Sequence, residues 1–390
     1  MSCNFWQKLR QDSGGFSSPV LGQDLHSFPV NKQTVSTLLY DIYSDPDSSK
    51  YDYIRFYIGS AHHDDVGALF FECFDTGIGV DEALSKYGQK HSFGIVINGA
   101  LRWKPELAEE LAEFLRPIYE QFDEHEVGFD LTFFIGNYGY TPFGVHLDDK
   151  NHRTLLVNLG PNEKQIMLWE PSEIRNLYGD VGNIYDVNSI SIPPIIYNLN
   201  PSAYFLLPSQ YYHVGYTKDI SITAALVLHR EDHVKHISRE LDRYLRETLD
   251  FALDFDSPTL SSDWLSCIPQ PSFLQRCVEA RCKSNGGFKH SPQKRAISFD
   301  MLSISNNIVR RSFPICYVEQ DRENIFIFAK GKSKRFSQTD GIRNFIDKLN
   351  KENILEIREI LERADEKNLS KNNVLKIIVF LYQNFALDLT

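Results

Sequence analysis

The chain has 390 residues, 42% hydrophobic and 24% charged, which is the balance of a globular protein long enough for a large domain and a smaller one. Its net charge of -11 argues against a whole-protein nucleic-acid binder, and no apolar run reaches signal-peptide or membrane-span length, so a cytoplasmic protein with no membrane partner is expected. Six cysteines without a CxxC pair or regular spacing argue against a disulfide framework and fit reduced thiols.

Residues 1–32 are loop-rich, with a short helix expected near Phe5–Arg10. Val35, Leu38 and Leu39 share one side of a helix predicted over 31–43. YDYIRFYIG (51–59) alternates and reads as strand, and HSFGIVING (91–99) reads as a second strand. KPELAEELAEFLRPIYEQF (104–122) is an amphipathic helix with Pro105 in its first turn and a stripe of Leu107, Leu111, Leu115 and Ile118. From Val127 to Leu228 the pattern changes to many short strands separated by turn residues such as Gly160-Pro161-Asn162 and Pro193-Pro194. With 27 Phe and 19 Tyr against 3 Met, this predicts a mainly β protein with flanking α-helices, built on a double-sheet jelly-roll or cupin barrel.

A helix is predicted over 231–253, with Val234, Ile237, Leu241, Leu245 and Leu249 at helical spacing. The stretch 255–295 is rich in Ser, Pro and Gly and reads as a linker. Beyond it, NIFIFAKGKSKRFS reads as a strand-turn unit, followed by TDGIRNFIDKLN, ILEIREILERAD and SKNNVLKIIVFLYQNF. That order predicts a small α+β winged-helix-like module. The division expected is 1–228 for the barrel with its N-terminal elements, 229–294 for a helical segment and linker, and 295–390 for the module. Residues 289–390 carry 18 Lys and Arg against 13 Asp and Glu, a local +5. That balance is too small to favour nucleic acid, and a dimerisation or peptide-docking role is expected instead.

The chemistry concentrates in YTPFGVHLDDKNHRTLLVNLG, read as strand. Residues two apart on a strand point the same way, so His146 and Asp148 would aim at one place. His213, in FLLPSQYYHVGYT, supplies a third ligand. Two imidazoles and one carboxylate with an open opposite face suit Fe(II). A 2-oxo acid bound there with a second carboxylate requires a buried cation. Lys164, opening KQIMLWEP, is the first candidate and Arg153 its competitor. Tyr138, Tyr140, Thr154, Ser221 and Thr223 could hydrogen-bond that carboxylate. Ser221 and Thr223 share a strand face, and Ile220 and Ile222 the other; the sequence leaves open which looks inward. His229, His233 and His236 read as a solvated helix start, His62-His63-Asp64-Asp65 as a loop, and residues 151–153 as lying near the site mouth.

The segments FGVHLDDKNHRTLLVNLGPNEKQIMLWEP and AYFLLPSQYYHVGYTKDISITAALVL together resemble the JmjC (cupin-like) Fe(II)/2-oxoglutarate-dependent oxygenases, within them the protein and peptide hydroxylases of the ribosomal oxygenase type. The HxD of that family is similar to His146-Leu147-Asp148. Its glycine turn, basic residue and strand ending in proline resemble Gly160 through Lys164 to Pro171, and its Pro-to-His segment resembles Pro208 through His213. The resemblance covers roughly residues 127–228. It implies that His146, Asp148 and His213 bind Fe(II) and that Lys164 holds the C5 carboxylate of 2-oxoglutarate. It implies that O2 is consumed while a carbon of an amino-acid side chain in a protein or peptide is hydroxylated. More weakly, it implies a homodimer formed by the helical segment and a C-terminal winged helix. Two other readings stay open at this point: a metal-dependent cupin that does not use 2-oxoglutarate, and a barrel without turnover that binds peptide or DNA.

Overall fold

The computed structural model describes residues 2–46, 52–59, 61–62, 80–121, 127–150, 152–230, 233–248, 269–297, 307–337, 339–362 and 369–390. The chain divides into two compact units, Met1–Arg230 and Glu231–Thr390.

The first unit runs α1 (Ser2–Asp12), β1 (Val20–Gly22), α2 (Lys32–Ser44), β2 (Ile54–Ile58), β3 (Ala61–His62), α3 (Val80–Gly88), β4 (Phe93–Ile97) and α4 (Pro105–Gln121). It continues with β5 (Val127–Gly136), β6 (Gly139–Tyr140), β7 (His152–Pro161), β8 (Lys164–Trp169), α5 (Pro171–Tyr178), β9 (Ile195–Leu199), β10 (Tyr204–Pro208), β11 (Tyr212–Thr217) and β12 (Ser221–Arg230). Eight strands form one sheet in the order β1-β10-β7-β12-β5-β4-β2-β3, and four form a second in the order β6-β11-β8-β9. All pairings are antiparallel.

The helices predicted in this unit form for the reasons their sequences suggest. Asn31 caps α2 in a reciprocal capping box with Thr34, and Val35, Leu38, Leu39 and Ile42 are buried along one side. In α4, Leu107, Leu111, Leu115 and Ile118 are all buried. Period-2 alternation sorts β5 into two faces. Phe129, Leu131, Phe133 and Ile135 are fully buried on one; Asp130, Thr132 and Phe134 line a cavity on the other. On β12 the cavity face carries Ala225 and Val227, which places Ser221 and Thr223 on the inward side and Ile220 and Ile222 on the other.

Three local expectations differ from the structure. The segment around His146 is not a regular strand: Phe143 lies in a turn, Gly144 takes a positive φ of 69°, and only isolated bridges follow, Val145 to Ile184 and His146 to His213. The turn lifts the chain out of the sheet before a ladder can form, so Asp148 sits in a loop. Residues 171–178 and 195–199, which lie between the predicted strands, are α5 and the edge strand β9.

The third difference lies in the second unit, where the stretch read as a linker contains a helix. That unit comprises α6 (His233–Thr248), α7 (Pro271–Ser284), β13 (Asn307–Arg310), β14 (Cys316–Glu319), β15 (Asn324–Ala329), β16 (Lys332–Ser337), α8 (Thr339–Glu352), β17 (Ile354–Glu356), α9 (Ile357–Glu362), α10 (Lys371–Gln383) and β18 (Leu387–Leu389). Its sheets have the orders β17-β13-β18 and β14-β15-β16. In α7, Phe273, Leu274 and Cys277 are buried with Tyr244, Val318, Phe326 and Phe328. Ile237, Leu241 and Leu245 of α6 pack on that cluster, whereas Val234 is exposed and Leu249 lies outside the described residues. Cys277, Cys282 and Cys316 are free thiols.

A buried ion pair ties α6 to α7. Arg281 donates to both carboxylate oxygens of Glu240 at 2.7 Å, and also to Gly331 O and Ser333 Oγ. Removing one partner strands the other charge away from water. Glu240→Ala is therefore expected to cost about 3 kcal/mol, read as a lowered urea midpoint of the full chain. An unchanged midpoint would mean that water reaches Arg281 and replaces the carboxylate.

Candidate metal centre and its cavity

Two segments bring the predicted ligands together. His213 lies on β11, its backbone exchanging hydrogen bonds with that of His146 at 2.9 and 3.1 Å. Asp148 follows two residues on, with Leu147 packed against the apolar cluster of Val145, Trp169 and Tyr212. Asp148 Oδ1 stands 3.8 Å from His146 Nε2 and 4.0 Å from His213 Nε2, and the ligand atoms of all three lie within 4.8 Å of one another. These separations are wider than the roughly 3 Å between neighbouring ligand atoms that bonds of about 2.1 Å impose, so an ion bound here would draw the three groups together by small side-chain rotations. Among the described residues this is the one His/Cys/Asp/Glu group that converges in this way. The run His62-His63-Asp64-Asp65 falls mostly outside the described residues.

The second ring nitrogens fix the tautomers. His146 Nδ1 faces Gly144 O at 3.0 Å and His213 Nδ1 faces Tyr211 O at 3.3 Å. A carbonyl only accepts, so each Nδ1 carries the proton and each Nε2 offers its lone pair to the centre. Burial pushes the His213 imidazole down to about 4, with nearby His146 acting in the same direction and Asp148 and the Tyr211 carbonyl opposing it. At neutral pH it is uncharged, as a ligand must be.

The centre opens into a cavity of about 260 Å³ between the two sheets. Lys164 lies toward its other end, 2% exposed, with Nζ donating to Tyr138 Oη at 2.9 Å and standing 4.8 Å from the Phe134 ring centre. No carboxylate pairs with it in these contacts, and burial pushes its amine down to about 7. Burial likewise raises the Tyr138 phenol, keeping it protonated. Ser221 and Thr223 are fully buried, and their hydroxyls have no hydrogen-bond partner. Thr223 pairs with Phe134, the residue whose ring faces Lys164. A buried amine beside the cavity, with two unpartnered hydroxyls on the cavity-facing side of β12, is a donor set that suits a carboxylate, one donor being able to carry a charge.

The remaining predicted residues divide. Thr154 and His152 line the cavity. Arg153, between them in sequence, turns to the opposite face of β7, where its guanidinium stands 5.5 Å from the Phe16 ring centre. It does not line the cavity, so Lys164 is the cation there. Tyr140 packs against Tyr216, ring centres 5.1 Å apart and planes tilted by 58°, away from the cavity lining.

Sequence reasoning missed Asn98, Asp130, Thr132, Thr141 and Gly215 in the lining. Gly215 could have been suspected from its place two residues past His213. A Cβ there would meet Lys164 Cε at 2.9 Å and Thr141 Cγ2 at 3.3 Å, so glycine leaves the room that the lysine stem occupies.

Fold and site together define a mainly antiparallel β protein with two facing sheets and a two-histidine, one-carboxylate centre at one end of the space between them. No family model matches the sequence, and no curated protein matches it. Solved structures do share the fold. The ribosomal oxygenase YcfD from Escherichia coli superposes with a TM-score of 0.51 at 13% identity, covering 98% of this chain and 97% of that one. Its complex with cobalt and 2-oxoglutarate gives 0.52 at 15% identity, covering 98% of both chains. At these identities the likeness is one of fold.

Proposed function

We propose that this chain is an Fe(II)- and 2-oxoglutarate-dependent oxygenase that hydroxylates an unactivated carbon in a side chain of a protein or peptide. The observation that carries the reading is one cavity lined both by the convergent His146, Asp148 and His213 and by the buried Lys164, which Tyr138 accompanies; Ser221 and Thr223, with unpartnered hydroxyls, stand on the same face of β12 as the lining residues Ala225 and Val227. The shared fold with a protein solved in complex with cobalt and 2-oxoglutarate supports it. The facing sheets fit a double-stranded β-helix barrel, and the hairpin β15–β16 with α8 and α10 fits a winged-helix-like module. A homodimer through residues 229–294 completes the proposal. No described helix is long and apolar enough to cross a membrane.

Iron with 2-oxoglutarate and O2 supplies the oxidising chemistry when bound. The chain's own part is placement. His146, Asp148 and His213 hold one side of the ion and leave the cavity side open. Lys164 neutralises the far carboxylate of the co-substrate, and the two hydroxyls fill its remaining acceptor sites. Leu156, Ile166, Leu207 and Ala225 line the walls between, which keeps water from the reacting region. The test is succinate release with Fe(II), 2-oxoglutarate and O2. Metal binding without any 2-oxoglutarate binding would instead favour a cupin enzyme of another class.

The lowered lysine gives a pH signature. Below about pH 7 Lys164 is already protonated in the free protein, and co-substrate affinity is flat. Above it, binding must take up a proton, so the apparent Kd for 2-oxoglutarate rises toward about tenfold per pH unit. Calorimetry in buffers of differing ionisation enthalpy should read about half a proton taken up at pH 7 and nearly one at pH 8. Uptake of none at either pH would place the charge elsewhere.

A further inference from the structure

We propose that Ile195, with Tyr211, forms an apolar rim that seats a flanking residue of the peptide substrate about three positions from the one oxidised; this rests on the oxygenase reading above. In the smaller sheet His213 pairs with Leu168, and Leu168 with Ile195. The three side chains therefore stand in one row on the cavity-facing side. His213 and Leu168 are buried, whereas Ile195, on the edge strand β9, is 48% exposed. Tyr211, whose carbonyl orients His213, packs beside Tyr197 against the cluster of Leu168, Phe205 and Leu207. A single exposed isoleucine is ordinary on a surface. This one lies in register with a metal ligand at the end of the cavity that holds the metal centre.

Spacing decides the occupant. Strands lie about 4.8 Å apart, so β9 is about 10 Å from β11, a distance an extended peptide covers in about three residues. A peptide that sends one side chain down to the metal thus lays a neighbour over Ile195. A peptide added as a strand along the free edge of β9 would stand about 14 Å from β11, too far for its side chains to reach His213. Crossing the rim is the mode compatible with turnover.

The strand supplies its own control. Ile196 is 51% exposed but pairs with Met167 and faces the opposite side of the sheet. The full chain, loaded with Mn(II) and 2-oxoglutarate, is presented with a synthetic randomised peptide library, and bound peptides are sequenced. The wild type and Ile196→Asp should enrich Leu, Ile, Val or Phe at a fixed offset from a second preferred residue. Ile195→Asp should lose that enrichment by about fivefold or more. The proposal is overturned if enrichment survives in Ile195→Asp, if the wild type captures no apolar preference, or if Ile195→Asp changes the sedimentation mass, which would make the rim a contact between copies. Decarboxylation of 2-oxoglutarate without peptide is read separately. Its absence in the wild type sinks the oxygenase reading and leaves the peptide result to stand alone.

Discussion

His213→Ala should abolish 2-oxoglutarate turnover and weaken Co(II) binding by more than about 100-fold, the upper end of what loss of a mere outer-sphere partner costs. The imidazole is one of three groups that converge on the centre, and the remaining pair, His146 and Asp148, is partly exposed to water. A facial site reduced to two ligands no longer fixes the open positions on which the co-substrate and oxygen depend. Because His213 is buried and neutral, its removal deletes no charge from the fold. Its backbone contacts to His146 survive in the alanine variant. Far-UV circular dichroism should therefore match the wild type while the visible Co(II) absorption of the bound ion disappears. Asp148→Ala and His146→Ala should give the same result. An unaltered Co(II) spectrum in any of the three would remove that residue from the ligand set.

The triad was legible in the sequence because HxD is short and its second histidine opens a strand. Its geometry was not. Alternation predicts that residues two apart share a face, yet here the turn at Phe143-Gly144 breaks the ladder, and Asp148 reaches the centre from a loop. The alternation did hold on β5 and β12, where it places Ser221, Thr223, Ala225 and Val227 on one side. What the sequence left open was which side faces the cavity, since that is settled by where the second sheet lies. The same limit hid Asn98, Asp130 and Thr132: each is an ordinary polar residue until a strand far away in sequence is placed opposite. In the second unit, Ser and Pro content masked α7. Pro271 in the first turn with Phe273, Leu274, Cys277 and Ala280 at helical spacing was the signal available.

Lys164→Met separates the two jobs a buried cation can have. If the lysine serves the co-substrate, its loss should raise the Kd for 2-oxoglutarate by about 100-fold, the cost of leaving a buried carboxylate without its charged partner. Turnover at saturating 2-oxoglutarate should recover to within a fewfold, and Co(II) affinity should not move, because the amine lies at the other end of the cavity from the ligands. Stability should go the opposite way. The free protein carries a desolvated amine with one phenol as its hydrogen-bond partner, so a methionine of similar volume in its place should leave the urea midpoint unchanged or raise it. A residue kept for structure would instead lower the midpoint when removed. Arg153→Ala is the control, since its side chain stacks over Phe16 on the far face of β7. It should leave co-substrate affinity untouched. A rise in Kd for Arg153→Ala together with none for Lys164→Met would transfer the anchoring role to the arginine.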